Sequence, residues 1–379
     1  MVKVGINGFG RIGRIAFRIG ILKHPNEIDF VAINTSGSMT AGGWAHLVNY
    51  DTTYRKFEKV VGFDEVKDPQ VVVNESQGGK DVDPLIGYLV IESNKFPLLA
   101  QRDPAKIPWA KYGADVIIES TGKFTKEDDA KKHGIGGAKR VVISAPVKGG
   151  NVGTYIIGVK EYAPENINTP GVLSNSSCTT NCVAPVTAVV EAAFGIEKAG
   201  ITTIHGYTDD QNLQDNSHKD LRRARAAAEN IIPTTTGAAI STTETIPSLK
   251  DLFDGSALRV PVATGSITDF TFVVKRQTNK EEVNQAFVKA TQNAVYKGIL
   301  AVTQEPLVSS DVIGRSESAI VDLSLTKVIA GNLVKVFAWY DNEWGYANRL
   351  VEQVIRAGKG LGGAEAPTDP LSLTFAKRV

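Results

Sequence analysis

The chain begins, after three residues, with Val4-Gly5-Ile6-Asn7-Gly8-Phe9-Gly10-Arg11-Ile12-Gly13-Arg14. Gly8, Gly10 and Gly13 have the spacing G-x-G-x-x-G. They follow the apolar run Lys3–Ile6 and open the helical pattern Ile12–Ile19. In such a turn one glycine permits a tight bend, one lets backbone N–H groups approach a pyrophosphate, and one lets helix and strand pack closely. The sequence therefore predicts a strand, a dinucleotide-binding turn and a helix whose N-terminus faces an anion.

Short β-branched runs alternate with helical or polar stretches through the first third of the chain. The predicted strands are Lys3–Ile6, Phe30–Asn34, Asp115–Ser120, Val141–Ser144 and Tyr155–Val159. Continuous apolar strands joined by helical crossovers are typical of a parallel sheet covered on both faces. The first domain is therefore predicted to be a doubly wound, Rossmann-type α/β domain.

The pattern changes after Cys178. Longer strands are predicted over Ile201–His205, Ser266–Lys275 and Leu333–Tyr340, and helices over Val183–Phe194, Lys280–Tyr296 and Glu343–Lys359. This order favours an α+β domain with a mixed, largely antiparallel sheet. We expect a nucleotide-binding domain at 1–177 and a catalytic domain at 178–342, a C-terminal helix at 343–359 that packs back on the first domain, and an extension at 360–379.

Charge and hydropathy exclude several classes of partner. Lys and Arg total 42 against 41 Asp and Glu, so no global basic field exists to bind nucleic acid or an anionic membrane. No apolar run reaches the ~18 residues that a membrane span needs, and the amino terminus lacks the pattern of a signal peptide. These observations predict a cytoplasmic protein without nucleic-acid or membrane partners.

The two cysteines, Cys178 and Cys182, lie four residues apart in Ser177-Cys178-Thr179-Thr180-Asn181-Cys182. Cys178 is predicted at the N-terminus of an apolar helix, where the helix dipole and free N–H groups lower the pKa of a thiol and make it nucleophilic. Cys182 lies one turn inside and is predicted to be a buried, inert thiol. Two free thiols are expected, because this spacing rarely allows a disulfide.

His205 is the candidate base, at the end of the strand Ile201–His205. From the residues alone, a single histidine after a strand is more often a structural residue, and this alternative stays open here. A Cys–His pair raises the thiolate fraction, and the same imidazole can take a hydroxyl proton as hydride leaves. The other histidines lie in polar stretches and are predicted to be solvated or capping groups: His24, His46, His133 and His218.

Several blocks of the chain together resemble one enzyme family. Ser174-Asn175-Ser176-Ser177-Cys178-Thr179-Thr180-Asn181-Cys182 is similar to the catalytic signature of the glyceraldehyde-3-phosphate dehydrogenases. The family's other blocks resemble, in the same order, Val4–Arg14, Glu119–Gly122, Ile143–Pro146, Ile231–Ala239 and Trp339–Tyr346. The resemblance implies oxidation of a phosphorylated aldehyde by NAD(P) through a thioester on Cys178, with His205 as base. Inorganic phosphate then releases an acyl phosphate.

The resemblance also implies the binding residues. Thr208 and Arg259 are expected to bind the substrate phosphate. The attacking phosphate is expected to bind Ser177, Thr179, Arg223, Thr236 and Gly237. For the cofactor, the resemblance implies Arg11, Ile12, Arg102, Thr121, Ser144, Asn342 and Tyr346. The glycine turn adds Gly8, Gly10 and Gly13, and Thr35 and Ser217 are cofactor-binding candidates at positions where the chain departs from the family pattern. The resemblance implies a homotetramer and no metal site.

Two departures from the family pattern concern the choice of cofactor. Many NAD-specific members resemble one another in having Asp at the position of Thr35 and a Leu-Pro pair where this chain has Asn216-Ser217. A carboxylate at the end of the second strand binds the ribose hydroxyls of NAD and repels a 2′-phosphate. Its absence, and the serine at 217, predict a preference for NADP, with NAD also usable.

Two alternatives stay open. Erythrose-4-phosphate dehydrogenases share the cysteine signature but lack the phosphate loop that resembles Thr234–Gly237 and the hydroxyl of Thr208. A family member kept as a non-catalytic scaffold is the other alternative, although Cys178, His205 and Arg259 are all present. Neither the longer segment Val61–Leu98 nor the extension at 360–379 receives a role from the sequence.

Overall fold

The computed structural model describes residues 1–162, 171–359 and 361. Chain contacts divide these residues into two compact units. The first contains Met1–Thr154, Tyr162–Ser176 and the described residues from Ala347 onward, and the second contains Tyr155–Glu161 and Ser177–Tyr346. The predicted extension at 360–379 lies, apart from Leu361, outside the described residues.

The first unit is built on a mainly parallel sheet. The strands of this unit are β1 (Val2–Asn7), β2 (Ile28–Asn34), β3 (Tyr50–Asp51), β4 (Arg55–Lys56), β5 (Val61–Glu65), β6 (Leu85–Ile91), β7 (Asn94–Leu99), β8 (Val116–Glu119), β9 (Arg140–Ile143), β10 (Gly153–Thr154) and β11 (Gly171–Ser174). Strands β3 and β4 form a separate antiparallel pair, and the other nine form the sheet. The sheet order is β10-β11-β9-β8-β1-β2-β7-β6-β5. All neighbours from β10 to β7 are parallel, whereas β6 and β5 extend the edge as antiparallel strands.

Helices connect the strands of the first unit: α1 (Arg11–Lys23), α2 (Ala41–Asn49), α3 (Pro69–Gln77), α4 (Trp109–Tyr112) and α5 (Glu127–Lys131). Helix α1 buries Ile15, Phe17 and Ile19, and Phe17 packs against Phe30 of β2 with ring centroids 5.2 Å apart. The predicted apolar period therefore faces the sheet.

The second unit holds helix α6 (Cys178–Phe194) over a mixed sheet. Its other elements are β12 (Ile196–Gly206), β13 (Ile232–Thr235), α7 (Ala238–Thr245), β14 (Phe253–Val260), β15 (Ser266–Val274), α8 (Lys280–Thr291), β16 (Leu300–Thr303), β17 (Ala319–Asp322), β18 (Lys327–Ile329) and β19 (Leu333–Tyr340). The sheet order is β13-β14-β12-β15-β19-β17-β16, with β18 beside β19. Pairs β12–β14 and β16–β17 are parallel and the others antiparallel. The core joins Val183, Val186 and Val190 of α6 to Phe270 and Phe272 of β15.

Helix α9 (Trp344–Lys359) follows β19, and from Ala347 it belongs to the first unit, where Lys23 donates to Asn348 at 3.0 Å. The predicted fold class, a Rossmann-type domain with a second domain on a mixed sheet, is confirmed.

Two predicted elements were wrong in part. Tyr155–Val159 is not a strand: β10 ends at Thr154, and only an isolated bridge joins Ile156 to Lys160. Its apolar residues Ile156 and Ile157 are buried in a turn, which a short apolar run does not distinguish from a strand. The helix predicted over Lys280–Tyr296 ends at Thr291, and a separate 3₁₀ turn, Ala294–Tyr296, follows under the cap of Asn293.

Candidate active site

Cys178 is the first residue of α6, and Ser177 caps that helix. The Ser177 hydroxyl accepts a hydrogen bond from the backbone N–H of Thr180 at 3.0 Å. Ser176, just before the cap, has a left-handed backbone with φ of 54°, and its N–H donates to the Ser174 hydroxyl at 3.0 Å. The strained residue and the cap start the helix sharply at the cysteine.

The sulfur of Cys178 lies 3.3 Å from Nε2 of His205. His205 is near the end of β12 and is 5% exposed. Its Nδ1 lies 2.7 Å from the carbonyl oxygen of Gly206, so Nδ1 carries the proton that it donates there. Nε2 of the neutral ring is then the acceptor that faces the thiol. The fold thus brings together the two residues predicted as nucleophile and base.

Burial sets the charge of this pair. It lowers the pKa of His205 to about 4, and the positive charge of Arg259 adds to the effect. It also raises the pKa of the Cys178 thiol, against the lowering effects of Arg259 and of Thr179. Removing water penalises both charged forms, so the pair rests as a thiol and a neutral imidazole. The lowered thiol pKa predicted from the helix terminus was wrong, because desolvation outweighs the dipole and the nearby cation.

Cys182 is fully buried in the core of the second unit. Burial raises the pKa of its thiol well above the ordinary value. Both cysteines are free, as predicted. The two thiols therefore differ in their access to reagents and to a base.

Tyr340, the last residue of β19, connects the two sides of the site and was not predicted from the sequence. Its hydroxyl lies 3.1 Å from the hydroxyl of Thr179 and 2.7 Å from that of Thr203. Its ring lies edge-on to His205, with centroids 6.0 Å apart. The alternation of β19 marks Tyr340 as buried, but only the tertiary fold reveals its polar contacts.

Two arginines, each predicted to bind a phosphate, share one carboxylate. Asp210 accepts from Nη1 of Arg223 at 2.9 Å and lies 3.8 Å from Nη1 of Arg259. Arg259 also donates to the hydroxyl of Thr208, which donates to Asp210. Arg223 reaches the Thr234 hydroxyl from Nη2 at 2.6 Å. Asp210, not singled out from the sequence, holds both guanidinium groups in place.

Thr236 and Gly237 lie just before α7. The Thr236 hydroxyl accepts from the N–H of Ala238 at 3.2 Å, and a Cβ built on Gly237 would meet no atom within 4 Å. Asn342 is buried, and its Oδ1 accepts from Gly265 N and Ser266 Oγ, both at 3.0 Å. These bonds fix the amide and direct its Nδ2 away from them. Tyr346 is buried at the start of α9, and Ser217 is exposed.

The predicted dinucleotide turn of the first unit has the expected shape. A Cβ on Gly13 would lie 2.1 Å from the Gly8 carbonyl oxygen, and one on Gly8 would lie 2.6 Å from the Thr121 N. A Cβ on Gly10, at the start of α1, would meet no atom within 4 Å. Two glycines thus permit close backbone packing, and the third leaves space above the helix N-terminus for a pyrophosphate. The residues present fit a dinucleotide.

Other predicted cofactor residues belong to the same unit as this turn. Arg11 forms an ion pair with Asp51 at 2.5 Å, Ile12 is half-buried in the first turn of α1, and Arg102 is exposed. Thr121 donates from its N–H to Glu119 at 2.9 Å, and Ser144 donates its N–H to the Glu119 carbonyl at 2.9 Å. Thr35 is buried and its hydroxyl donates to the carbonyl of Leu99 at 3.0 Å. The exposed hydroxyls at the end of β2 are instead those of Ser36 and Ser38.

His133 is not the solvated group predicted from its polar neighbours. It is fully buried; its Nδ1 accepts from the Trp109 indole at 3.0 Å and its Nε2 lies 3.0 Å from Glu119. The indole donor requires an unprotonated Nδ1, so Nε2–H donates to the carboxylate. Glu119 accepts in addition from Asn7 Nδ2 at 2.5 Å. The prediction was wrong because local sequence polarity does not report a packed partner distant in the chain.

Comparisons with known proteins identify the family. The sequence model described as "Glyceraldehyde 3-phosphate dehydrogenase, C-terminal domain" matches residues 177–342, and that described as "NAD binding domain" matches residues 2–83 and 77–127. The chain belongs to the glyceraldehyde-3-phosphate dehydrogenase family. This membership confirms the enzyme class predicted from the motifs, an NAD(P)-dependent dehydrogenase.

Named relatives in this family cover nearly the whole chain. A glyceraldehyde-3-phosphate dehydrogenase of Streptomyces coelicolor is 47% identical over 362 residues, which are 95% of this chain and 99% of the relative. One from Bacillus cereus is 44% identical over 95% of this chain and all of the relative, and one from Geobacillus stearothermophilus is 44% identical over 95% and 99%. Among residues 1–162, 171–359 and 361, none of the helices combines the length and apolar character that crossing a bilayer demands.

Proposed function

We propose that the protein is a phosphorylating glyceraldehyde-3-phosphate dehydrogenase, which oxidises glyceraldehyde 3-phosphate with inorganic phosphate to an acyl phosphate. The observation that carries this proposal is the Cys178 sulfur 3.3 Å from an unprotonated Nε2 of His205 at a helix N-terminus, with Arg259 nearby. A thiol, a base and a cation in this arrangement suit covalent catalysis on an aldehyde that carries a phosphate.

His205 moves the protons of the reaction. As the Cys178 sulfur bonds to the aldehyde carbon, Nε2 takes the thiol proton and then returns it to the carbonyl oxygen, which gives a hemithioacetal. The N–H groups at the start of α6 stabilise the negative oxygen on the way. A bound nicotinamide supplies the acceptor for the hydride. Nε2 takes the hydroxyl proton as the hydride leaves, and a thioester remains on Cys178.

Phosphate then breaks the thioester. An oxygen of hydrogen phosphate bonds to the acyl carbon, the carbon–sulfur bond breaks, and the phosphate proton restores the thiol. His205 releases its proton to solvent. We assign Thr208 and Arg259 to the substrate phosphate, and Ser177, Thr179, Arg223, Thr236 and Gly237 to the attacking phosphate. The support is their cations, hydroxyls and backbone N–H groups, several of them linked through Asp210.

The cofactor is proposed to be NADP, with NAD as a weaker substitute. The open space above Gly10 supports a pyrophosphate position, with Gly8, Gly13, Arg11 and Ile12 around it. Arg102, Thr121, Ser144, Asn342 and Tyr346 are assigned to the remaining parts of the cofactor. The preference rests on the missing carboxylate at Thr35 and on Ser217. Since the Thr35 hydroxyl already donates to Leu99, Ser36 and Ser38 are the more available donors for a 2′-phosphate.

The predicted domain bounds, 1–177 and 178–342 with the helix 343–359 against the first domain, stay part of this proposal, as does a homotetramer in the cytoplasm. Large exposed apolar side chains support self-association: Leu213 and Leu221 are both 81% exposed, and Ile231 and Ile240 are 68% and 63% exposed. Surfaces of this kind often mark subunit interfaces. Light scattering after gel filtration measures the subunit number.

The deciding assay follows cofactor reduction with glyceraldehyde 3-phosphate, with phosphate present or absent, and with NADP or NAD. We expect phosphate-dependent turnover, a higher kcat/KM for NADP, and an acyl adduct on Cys178 by mass spectrometry when phosphate is omitted. Absence of the adduct would contradict the mechanism. Faster turnover of erythrose 4-phosphate would support the alternative dehydrogenase, and no turnover of either would support a scaffold.

A further inference from the structure

Helix α3 lies within Val61–Leu98, the segment to which the sequence assigned no role. The two matches to the NAD-binding domain, 2–83 and 77–127, overlap from the last residue of this helix to residue 83. Its buried residue Val73 lies beside Gly37, in the loop after β2, and its buried residue Ser76 donates a hydrogen bond to the carbonyl of Ala100, which follows β7. The helix is therefore attached to the part of a Rossmann domain that carries the adenosine ribose.

The carboxyl end of α3 holds the loop that follows β2. Nε2 of Gln77 donates to the carbonyl oxygen of Ser36 at 2.8 Å. Gly37 has a left-handed backbone with φ of 72°, and a Cβ there would lie 2.9 Å from Gln77 Nε2 and from Val73 Cγ1. The loop is thus in direct packing contact with the helix at two consecutive residues.

A second set of hydrogen bonds links α3 to the last residue of β2. The Ser76 hydroxyl donates to the Ala100 carbonyl at 2.8 Å, and Nε2 of Gln101 donates to the Ser76 carbonyl at 3.2 Å. The backbone N–H of Gln101 donates to Oδ1 of Asn34 at 2.9 Å, and Nδ2 of Asn34 donates to the Gln101 carbonyl at 2.8 Å. The segment from Asn34 to Ser36 is therefore linked to α3 at both ends, at Asn34 through Gln101 and at Ser36 directly by Gln77.

The loop itself presents donors to solvent. The hydroxyls of Ser36 and Ser38 are exposed and lie 2.7 Å apart, and the N–H of Ser38 lies 3.3 Å from the Ser36 hydroxyl. A 2′-phosphate is bound by donors of this kind, and a hydroxyl pair gains affinity when the backbone beneath it is already held in place. We propose that α3 is a specificity-determining element, in which Gln77 and Val73 hold Ser36–Ser38 in the position that binds a 2′-phosphate. This inference rests on the proposed NADP preference.

The test uses the full chain and two fragments that lack the nicotinamide, 2′-phospho-ADP-ribose and ADP-ribose, titrated by calorimetry. Gln77→Ala removes the amide that holds Ser36. We expect about a fivefold weaker Kd for 2′-phospho-ADP-ribose, the order that one hydrogen bond contributes, and less than a twofold change for ADP-ribose. In turnover assays the KM for NADP rises by a similar factor and kcat stays unchanged.

Gln70→Ala is the matched control, since Gln70 is exposed on the same helix and donates only to Asn74, at 3.0 Å, among the contacts of the described residues. It should bind both fragments as the wild type does. Unchanged binding of both fragments by Gln77→Ala, or equal weakening of both, would overturn the role of α3 in specificity. Tighter binding of ADP-ribose than of 2′-phospho-ADP-ribose by the wild type would overturn the proposed NADP preference alone. The role of α3 is tested separately, by the change in the ratio of the two Kd values between the wild type and Gln77→Ala.

Discussion

Nδ1 of His205 lies 2.7 Å from the carbonyl oxygen of Gly206, and this contact decides which ring nitrogen faces the thiol. With Nδ1 protonated, Nε2 presents a lone pair to Cys178. The pair can rest without charge and still transfer a proton when the aldehyde is attacked. The pH behaviour of the enzyme follows from this arrangement.

Alkylation of Cys178 should speed up with rising pH. Because burial raises the pKa of the thiol, the reactive thiolate forms mainly above neutral pH, and we expect the iodoacetamide rate to climb from about pH 7 towards pH 9. The measurement is the rate of mass addition at Cys178. Cys178→Ser is the control and should take up no label, since Cys182 is fully buried. A rate that is already maximal at pH 6 would indicate a resting ion pair instead.

Removing the charge of Arg259 should raise the pKa of the Cys178 thiol and that of the His205 imidazole. Its positive charge lowers the pKa of Cys178 and that of His205, so Arg259→Gln should raise both. As the pH falls, the imidazole of His205 is protonated and can no longer act as a base. With a raised pKa, this loss occurs at a higher pH in the variant than in the wild type. Profiles of kcat/KM with unphosphorylated glyceraldehyde separate this effect from phosphate binding.

Arg259→Lys keeps the charge and is the matched variant for that experiment. It should restore the wild-type pH profile in large part, while the KM for glyceraldehyde 3-phosphate stays raised because the planar guanidinium is gone. Identical pH profiles for wild type and Arg259→Gln would show that the charge does not act on the pair.

Tyr340→Phe should impair the phosphate step more than the stability of the fold. The change removes the hydroxyl that lies between Thr179 and Thr203, and a lost buried hydrogen bond costs about 1–3 kcal/mol. We expect the KM for inorganic phosphate to rise about fivefold, as Thr179 loses its fixed orientation. Steady-state kinetics with phosphate as the varied substrate measures this.

Tyr296→Phe is the control for Tyr340→Phe. Tyr296 is also buried in the second unit, and its hydroxyl has no hydrogen-bond partner among the residues that the structure describes. Its removal should leave phosphate kinetics unchanged and the Tm equal to or above that of the wild type. Equal phosphate kinetics in the two variants would remove Tyr340 from the site.

The substitutions Gly10→Ala and Gly13→Ala should have different effects on cofactor binding and on the Tm. A methyl group on Gly10 meets open space, so Gly10→Ala should keep the wild-type Tm while cofactor binding weakens at least tenfold, because the methyl occupies the pyrophosphate position. Gly13→Ala places a Cβ 2.1 Å from the Gly8 carbonyl and should lower the Tm by several degrees. Calorimetry and thermal unfolding give the two readings. Unweakened binding in Gly10→Ala would contradict the assigned pyrophosphate position.

Much of the fold could be predicted because its signals are local. The glycine spacing at Gly8–Gly13, the strand Leu333–Tyr340 and the helix start at Cys178 each depend on residues that are close in the chain. Predictions failed where a local pattern has two solutions: Tyr155–Val159 is apolar enough for a strand but lies in a buried turn.

The sequence by itself determined the two domain types and several of their helices and strands, because periodicity and turn chemistry depend on residues that are close in the chain. It also singled out Cys178 as candidate nucleophile, and the family resemblance added His205 as candidate base. Only the tertiary structure decided that Cys178 rests as a thiol and that Tyr340 and Asp210 connect the site. In the first unit, it alone decided that Thr35 donates to Leu99, that His133 is buried, and that α3 holds the loop after β2. The physical reason is that pKa values and hydrogen-bond partners depend on which distant residues exclude water from a group, and packing alone brings those residues together.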